Sequence, residues 1–391
     1  MSGPDEQDQL ARLALARVTE PGSRPVARAV ERCGAAEVWR ALRAGQPCPP
    51  LSPALRAAAA ARAAGYDPAV DLERLAAVGG RVVAPGSSEW PADRLDWPDG
   101  TLQDAPPLAL TVRGPHALAD VVARSAAVVG ARAATAYGDH VAGELARGLA
   151  DRGVAVVSGG AYGIDAAAHR GALAAEAAPT VAVLGCGVDV VYPRGNDRLL
   201  ARVAECGLVV SEHPPGGTPT RGRFLVRNRL IAALTVGTVV VEAARRSGSL
   251  ATADRARALS RHVMAVPGPV TSAMSAGCHQ LLRDGAQCVT RAGEVLELVG
   301  ELGTDADEPL RGPDRLRDGL SETVRRVLDA VPVHGAAGEA VLARDAGVST
   351  LVVQQVLPPL LAHGLVERTA QGWRLTALGA GAPARSARAA R

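Results

Sequence analysis

Between residues 124 and 291 short apolar runs alternate with longer segments of helical period. The runs are "AAVVG" (126–130), "VAVVSG" (154–159), "TVAVLG" (180–185), "LVVSE" (208–212), "TVVVEA" (238–243) and "HVMAVPG" (262–268). Each is apolar almost throughout instead of alternating with polar positions, the pattern of a strand covered on both faces. The segments between them repeat at helical spacing, as Val141, Leu145 and Leu149 do within "DHVAGELARGLADRG". Strands of this kind separated by helices predict an α/β domain, a Rossmann-like doubly wound parallel sheet.

The flanks carry other patterns. Residues 1–80 are alanine-rich and helical in period, with a Pro21-Gly22 turn between two helical stretches. They predict a small helical N-terminal module of the SAM-like or helix-hairpin-helix kind. The α/β domain is expected over 81–300. Residues 301–320 have no clear period and hold six acidic residues against three arginines, so they read as a linker. Over 321–378 three helical segments precede two strand-like runs around Gln371-Gly372, the plan of a C-terminal winged-helix domain with Ser349 capping its third helix. Residues 379–391 read as a disordered tail.

Composition narrows the function classes. Apolar content of 48% and charged content of 21% fit an ordinary globular protein. No run of 18 apolar residues occurs and the first residues are acidic, so neither membrane insertion nor a signal peptide is expected. The six cysteines are scattered with no C-x-x-C pair, which points to the cytoplasm and away from a zinc site. All 43 basic residues are arginine. The lack of lysine rules out a Walker A loop and any Schiff-base lysine. A net charge of +3 does not mark a nucleic-acid binder, so such binding must come from local clustering.

That clustering lies after the strands. In open parallel sheets ligands bind beyond the carboxyl ends of the strands, and the unusual residues fall there: "GARAATAYG" (130–138), "SGGAYGIDAAAHRGAL" (158–173), "GCGVDVVYPRGND" (185–197), "SEHPPGGTPTRGRFLVRNR" (211–229), "EAARRSGSLATADRA" (242–256) and "PGPVTSAMSAG" (267–277). Gly159, Gly160 and Gly163 serve either a tight turn or an anion held by backbone amides. "GGAYGID" departs from G-x-G-x-x-G, so no nicotinamide or other cofactor is expected. Asp165 and His169 sit four apart as a conceivable catalytic pair, but an acid bonding its own loop is the better reading. Glu212 and Glu242 end strands, as anchors for arginines or as buried ion pairs in their own right. Ser247, Ser249 and Thr252 are helix caps or phosphate contacts. Phe224, the one phenylalanine, sits among Arg221, Arg223, Arg227 and Arg229. It is equally a hydrophobic staple or a platform for a base. Nothing in the chain requires an enzyme.

Together "VVGARAATAYG", "VVSGGAYGIDAAAHRGAL", "VAVLGCGVDVVYPRGND", "LVVSEHPPG", "RFLVRNRLIAAL", "VVVEAARRSGSLATADRA" and "VMAVPG" resemble the DNA-processing protein A (DprA/Smf) family. The resemblance implies a non-enzymatic protein that binds single-stranded DNA, protects incoming DNA in natural transformation, forms homodimers and helps load the RecA recombinase. It implies DNA contacts from Arg132, Ser158, Gly159, Gly160, Gly163, Gly185, Gly187, Arg221, Phe224, Arg227, Asn228 and Arg229. Asn228 and Arg229 are expected mainly to shape the pocket, with Asp165, Asn196, Glu212, Glu242, Ser247, Ser249 and Thr252. Members usually carry proline after the phenylalanine and lysine upstream of it, where this chain has Leu225 and Arg221. The alternative is a nucleotide phosphoribohydrolase of the lysine-decarboxylase-like family, which needs P-G-G-x-G-T-x-x-E. "PGGTPTRG" (215–222) lacks the second Gly-Thr and the glutamate. Duplex reading by the last helical segment is disfavoured because "STLVVQQVLPPLLAHG" has no arginine, so a protein contact suits it better.

Overall fold

The computed structural model describes residues 4–175, 177–300 and 319–380. The chain divides into two compact units between Asp307 and Glu308. Of the expected linker only residues 319 and 320 are described, and of the expected tail only 379 and 380; the rest of both lie outside the described residues.

The first unit is built on one nine-stranded sheet: β1 (Gly80–Val83), β2 (Leu110–Arg113), β3 (Ser125–Val129), β4 (Ala155–Ser158), β5 (Thr180–Leu184), β6 (Leu208–Ser211), β7 (Gly237–Val240), β8 (His262–Ala265) and β9 (Gln287–Cys288). Their spatial order is β1-β2-β6-β5-β4-β3-β7-β8-β9. The strands from β3 to β9 pair in parallel, whereas β2 runs antiparallel to both β1 and β6. The six apolar runs are the parallel strands β3 to β8. The antiparallel pair β1–β2 and the two-residue β9 extend the sheet beyond them.

Why the runs are apolar throughout is plain from the packing. In β3, Ala126 and Val128 enter one core while Ala127 and Val129 enter the other; β4 does the same with Val156 against Ala155 and Val157. One core takes Leu145, Leu149 and Ile164 from the helices Ala136–Ala150 and Ile164–Leu173. The other takes Leu230 and Ile231 from the helix Arg221–Ala233, with Ala253 from the helix Gly248–Ala258. Each buried aliphatic side chain contributes ~1.5–3 kcal/mol, and a strand buried on both faces doubles its share. The result is a Rossmann-like doubly wound α/β fold.

The chain lays down β3, β4, β5 and β6 in one direction, then returns to place β7 on the opposite side of β3. The carboxyl ends of β3 and β7 therefore flank the crevice where strand order reverses, the usual ligand position in such sheets. Five helices, Pro4–Val18, Arg24–Cys33, Ala35–Arg43, Pro53–Ala63 and Pro68–Ala77, precede the sheet and belong to the same compact unit.

The second unit holds the helices Glu322–Ala330, Glu339–Ala346 and Thr350–Ala362 and the hairpin Val366–Thr369 with Gly372–Leu375. Trp373 also bridges to Ala337. Val327, Leu342, Val353, Leu357 and Trp373 form its own core. Ser349 caps the third helix by accepting from Val352 N at 3.4 Å.

Candidate nucleic-acid interface

Hydroxyl caps start three helices on the rim of the sheet. Thr135 accepts from Gly138 N (3.1 Å), Thr220 from Arg223 N (3.3 Å) and Ser247 from Ser249 N (3.4 Å). The second of these sets the helix Arg221–Ala233, so Phe224 falls in its first turn. Phe224 occupies the staple position, four residues after the cap, yet it belongs to none of the buried cores. Its half-buried ring lies on Gly185, where any Cβ would come within 2.8 Å of Phe224 Cδ1. Tyr192 packs beside it at 5.2 Å between ring centroids, tilted 33°. The guanidinium of Arg132 sits 5.3 Å and that of Arg227 5.7 Å from the Phe224 ring centre.

The two arginines differ in setting. Arg132 is exposed, whereas Arg227 is 5% exposed and donates from Nη1 to Gly159 O (2.7 Å) and Val183 O. Burial pulls its pKa down to about 10, opposed by the Asp165 carboxylate, so it stays charged at neutral pH. Arg227 is therefore a buried post beneath the platform, not the surface contact expected of it. Arg229 lies deeper still. It is fully buried, with Nη2 on both oxygens of Glu212 at 2.7 Å and Trp97 5.6 Å away. Burial raises the Glu212 pKa while Arg229 opposes the rise. Asn228 accepts from Arg227 Nε (3.2 Å) and donates to Gly248 O (3.3 Å).

The glycine loop after β4 is arranged differently from the amide cradle expected. Asp165 turns back and accepts from Gly159 N (3.2 Å) and Ala161 N (3.4 Å), so the Gly159 amide is already engaged. Burial raises the Asp165 pKa, and the Arg227 guanidinium and these amides oppose it. Gly163, at φ +73°, passes so close to Ala131 O that a Cβ would lie 2.3 Å from it. Asn196 Nδ2 holds the carbonyls of Gly160 and Ala161, both at 3.0 Å. Ser158 is fully buried and donates to Val128 O (2.7 Å), and the buried Gly187 gives its amide to Gly217 O (2.9 Å). Both act inside the fold, not as the DNA contacts expected. His169 turns from Asp165 to Thr180 (2.8 Å), and burial drives its pKa down to about 3, so no acid–base pair forms. Glu242 anchors no arginine among the described residues: it accepts from Thr135 N (2.9 Å) and Thr135 Oγ1 (2.6 Å) and thereby fixes the loop that carries Arg132.

What remains exposed is a basic groove. Arg132, Tyr192, Arg221, Phe224 and Arg246 line a cavity of about 630 Å³. Arg194 and Arg245 are also exposed on the rim loops. None of Arg132, Arg194, Arg221, Arg245 and Arg246 is paired with a carboxylate among the described residues. Tyr192, Arg194, Arg245 and Arg246 were absent from the sequence-derived set although they stand inside its motifs. The signal was their position after a strand, on the same rim as Phe224. No group of three or more His, Cys, Asp or Glu side chains among the described residues is placed to hold a metal. No helix among them is long and apolar enough to cross a membrane.

Known proteins resemble this chain in sequence and in fold. The family profile described as DNA recombination-mediator protein A matches residues 81–300. A Mycobacterium tuberculosis protein provisionally named DNA processing protein DprA is 48% identical over 386 residues, 96% of this chain and 97% of its own. The DNA processing protein DprA of Streptococcus pneumoniae is 44% identical over 170 residues, 44% of this chain and 60% of its own. The X-ray structure of DNA processing protein A from Streptococcus pneumoniae superposes with a TM-score of 0.60 at 30% identity, covering 75% of this chain and 98% of that one.

Proposed function

This chain belongs to the DNA-processing protein A (DprA/Smf) family of DNA recombination mediators, and we propose on that premise that it binds single-stranded DNA along the rim of its sheet. One observation carries the reading. A half-buried phenylalanine and an adjoining tyrosine stand among exposed arginines that no carboxylate among the described residues neutralises. A cationic groove with stacking rings is the common solution for single strands, because every base has a face to stack while the duplex hides it. Arginines hold the phosphates; Phe224 and Tyr192 hold bases.

Binding of a labelled oligodeoxynucleotide, followed by anisotropy, tests this. The single strand is expected to bind more tightly than the duplex, with a log–log salt slope of roughly −2 to −3, as for three or four phosphates. Phe224→Ala and Tyr192→Ala each weaken binding about 5- to 150-fold with the slope unchanged, since stacking contributes ~1–3 kcal/mol per base. Arg132→Ala flattens the slope by about 0.7. Wild-type affinity in all three variants, or preference for duplex, would sink the assignment. Release of free base from a nucleoside monophosphate would place the chain among nucleotide hydrolases instead.

The mediator reading adds a RecA-type recombinase as partner, supported by the family description. Added to single strands coated with single-strand-binding protein, the chain is expected to shorten the lag of recombinase ATP hydrolysis. An unchanged lag removes the loading step and leaves the binding.

A further inference from the structure

Among the described residues three aromatic side chains are largely exposed, Tyr137, Tyr162 and Tyr192, and they follow the successive strands β3, β4 and β5 at their carboxyl ends. Tyr162 is the most open at 48% and lies outside the cavity lined by Phe224 and Tyr192. Its hydroxyl accepts from Gly195 N (3.2 Å), and its ring rests on that glycine, where any Cβ would come within 2.7 Å of the hydroxyl and 3.0 Å of Cε1. Gly195 does not take a positive φ, so the ring, not the backbone, requires a glycine there. The segment that carries Tyr162 is fixed on both sides. Asn196 holds the carbonyls of Gly160 and Ala161, and Gly163 lies against the carbonyls of Ala131 and Arg132. The side chain is thus tied down at its hydroxyl while much of its ring stays in solvent. That arrangement forgoes apolar burial and settles the conformational entropy of the ring before any ligand arrives. Arg194, next to Gly195 in the chain, is exposed and pairs with no carboxylate among the described residues. Tyr192 is only three residues from Gly195, so at most about 11 Å of backbone separates the two anchor points.

We propose that Tyr162 is a further stacking residue, which takes a base beyond those held by Phe224 and Tyr192 as the single strand passes over the ends of β4 and β5. Arg194 meets a phosphate between the two stations, and the length of strand gripped by one chain grows accordingly. The inference rests on the single-strand reading above. Any base stacks on an aromatic face, so Tyr162 adds affinity and reach without adding sequence preference.

The full chain is tested with thymidine strands of about 5 to 15 nucleotides, read by anisotropy and, for the shortest, by competition. Wild-type affinity is expected to rise in a step once a strand reaches both stations. Tyr162→Leu removes that step: the longest strand binds about 5- to 20-fold more weakly with the salt slope unchanged, and the shortest stays within about 2-fold. Tyr162→Phe keeps the ring and loses only the hydroxyl, so it is expected to stay within about 3-fold of wild type at every length. The pair of variants separates stacking from anchoring of the loop. In a long strand carrying one 5-iododeoxyuridine, irradiation joins the substituted base to a ring stacked on it, and at least one position is expected to give a peptide linked at Tyr162. Absence of a step in the wild type, a step that survives in Tyr162→Leu, equal losses in both variants, or crosslinks confined to Phe224 and Tyr192 overturns the proposal and leaves single-strand binding standing. A strand that binds at no length removes both readings together.

Discussion

Four arginines stand between residues 221 and 229, and folding sends them to different places. Arg221 remains exposed at the groove. Arg223 reaches Thr218 O (2.9 Å) and Glu20 (3.5 Å). Arg227 goes under the Phe224 ring, and Arg229 pairs with Glu212 in the core. Helical spacing does not separate these fates. The partners do, and they come from the ends of other strands, so sequence marks the cluster without saying which cation meets solvent. The same limit applied to Ser158 and Gly187, whose partners Val128 and Gly217 are remote in sequence. His213 shows the energetic side. It is 3% exposed, and burial, with the Arg223 and Arg229 charges, lowers its pKa to about 4. The unfolded chain takes up this proton near pH 6.5 and the folded one near 4. Its contribution to stability is therefore complete above pH 6.5 and lost as pH falls towards 4. Between pH 7 and 4.5 the loss is about 2 kcal/mol. Urea unfolding at the two pH values should show wild type falling by that much more than His213→Gln; parallel falls would refute it.

At the scale of elements, the six central strands were legible because burial on both faces leaves an uninterrupted apolar run. β1, β2 and β9 were not: β1 and β9 lie at the edges of the sheet, β9 with only two residues, and β2, between β1 and β6, stands outside the strand–helix alternation that marked the other six. Nor does sequence show what the N-terminal helices do for the site. Arg17 forks onto Asp71 (2.6 and 2.9 Å) and also donates to Pro215 O, in the loop leading to the Phe224 helix. A Cβ on Gly22 would lie 3.3 Å from Val226 in that helix. The helices thus brace the loop and helix from behind. Arg17→Ala leaves Asp71, 1% exposed, without its cation, a kind of loss that costs about 3–5 kcal/mol. Faster amide exchange over 213–222 and a few-fold weaker strand binding with the salt slope kept are expected. Exchange unchanged in that loop would show that the bracing is not needed.

Among the described residues the core around Trp373 shares no residue with the cores on either face of the nine-stranded sheet. Residues 319–380 should therefore unfold cooperatively as an isolated fragment, and residues 1–300 should keep single-strand affinity within about 2-fold of the full chain. A fragment 1–300 that folds but binds more than 10-fold worse would move part of the site into the second unit. There, the third helix leaves Gln354 on Glu339 (2.9 Å) and presents no basic residue, which suits it poorly to a DNA groove. The rim loops of the first unit carry one further consequence. Glu242 holds the loop at 130–138, Asp165 the loop at 158–165, and Asn196 ties that loop to the next, all through bonds within the chain. Their conformational freedom is spent during folding, before any strand arrives. If the proposed single strand is the ligand, association orders only that flexible polymer, so the unfavourable entropy of capture resides almost wholly in the DNA and grows with each nucleotide held.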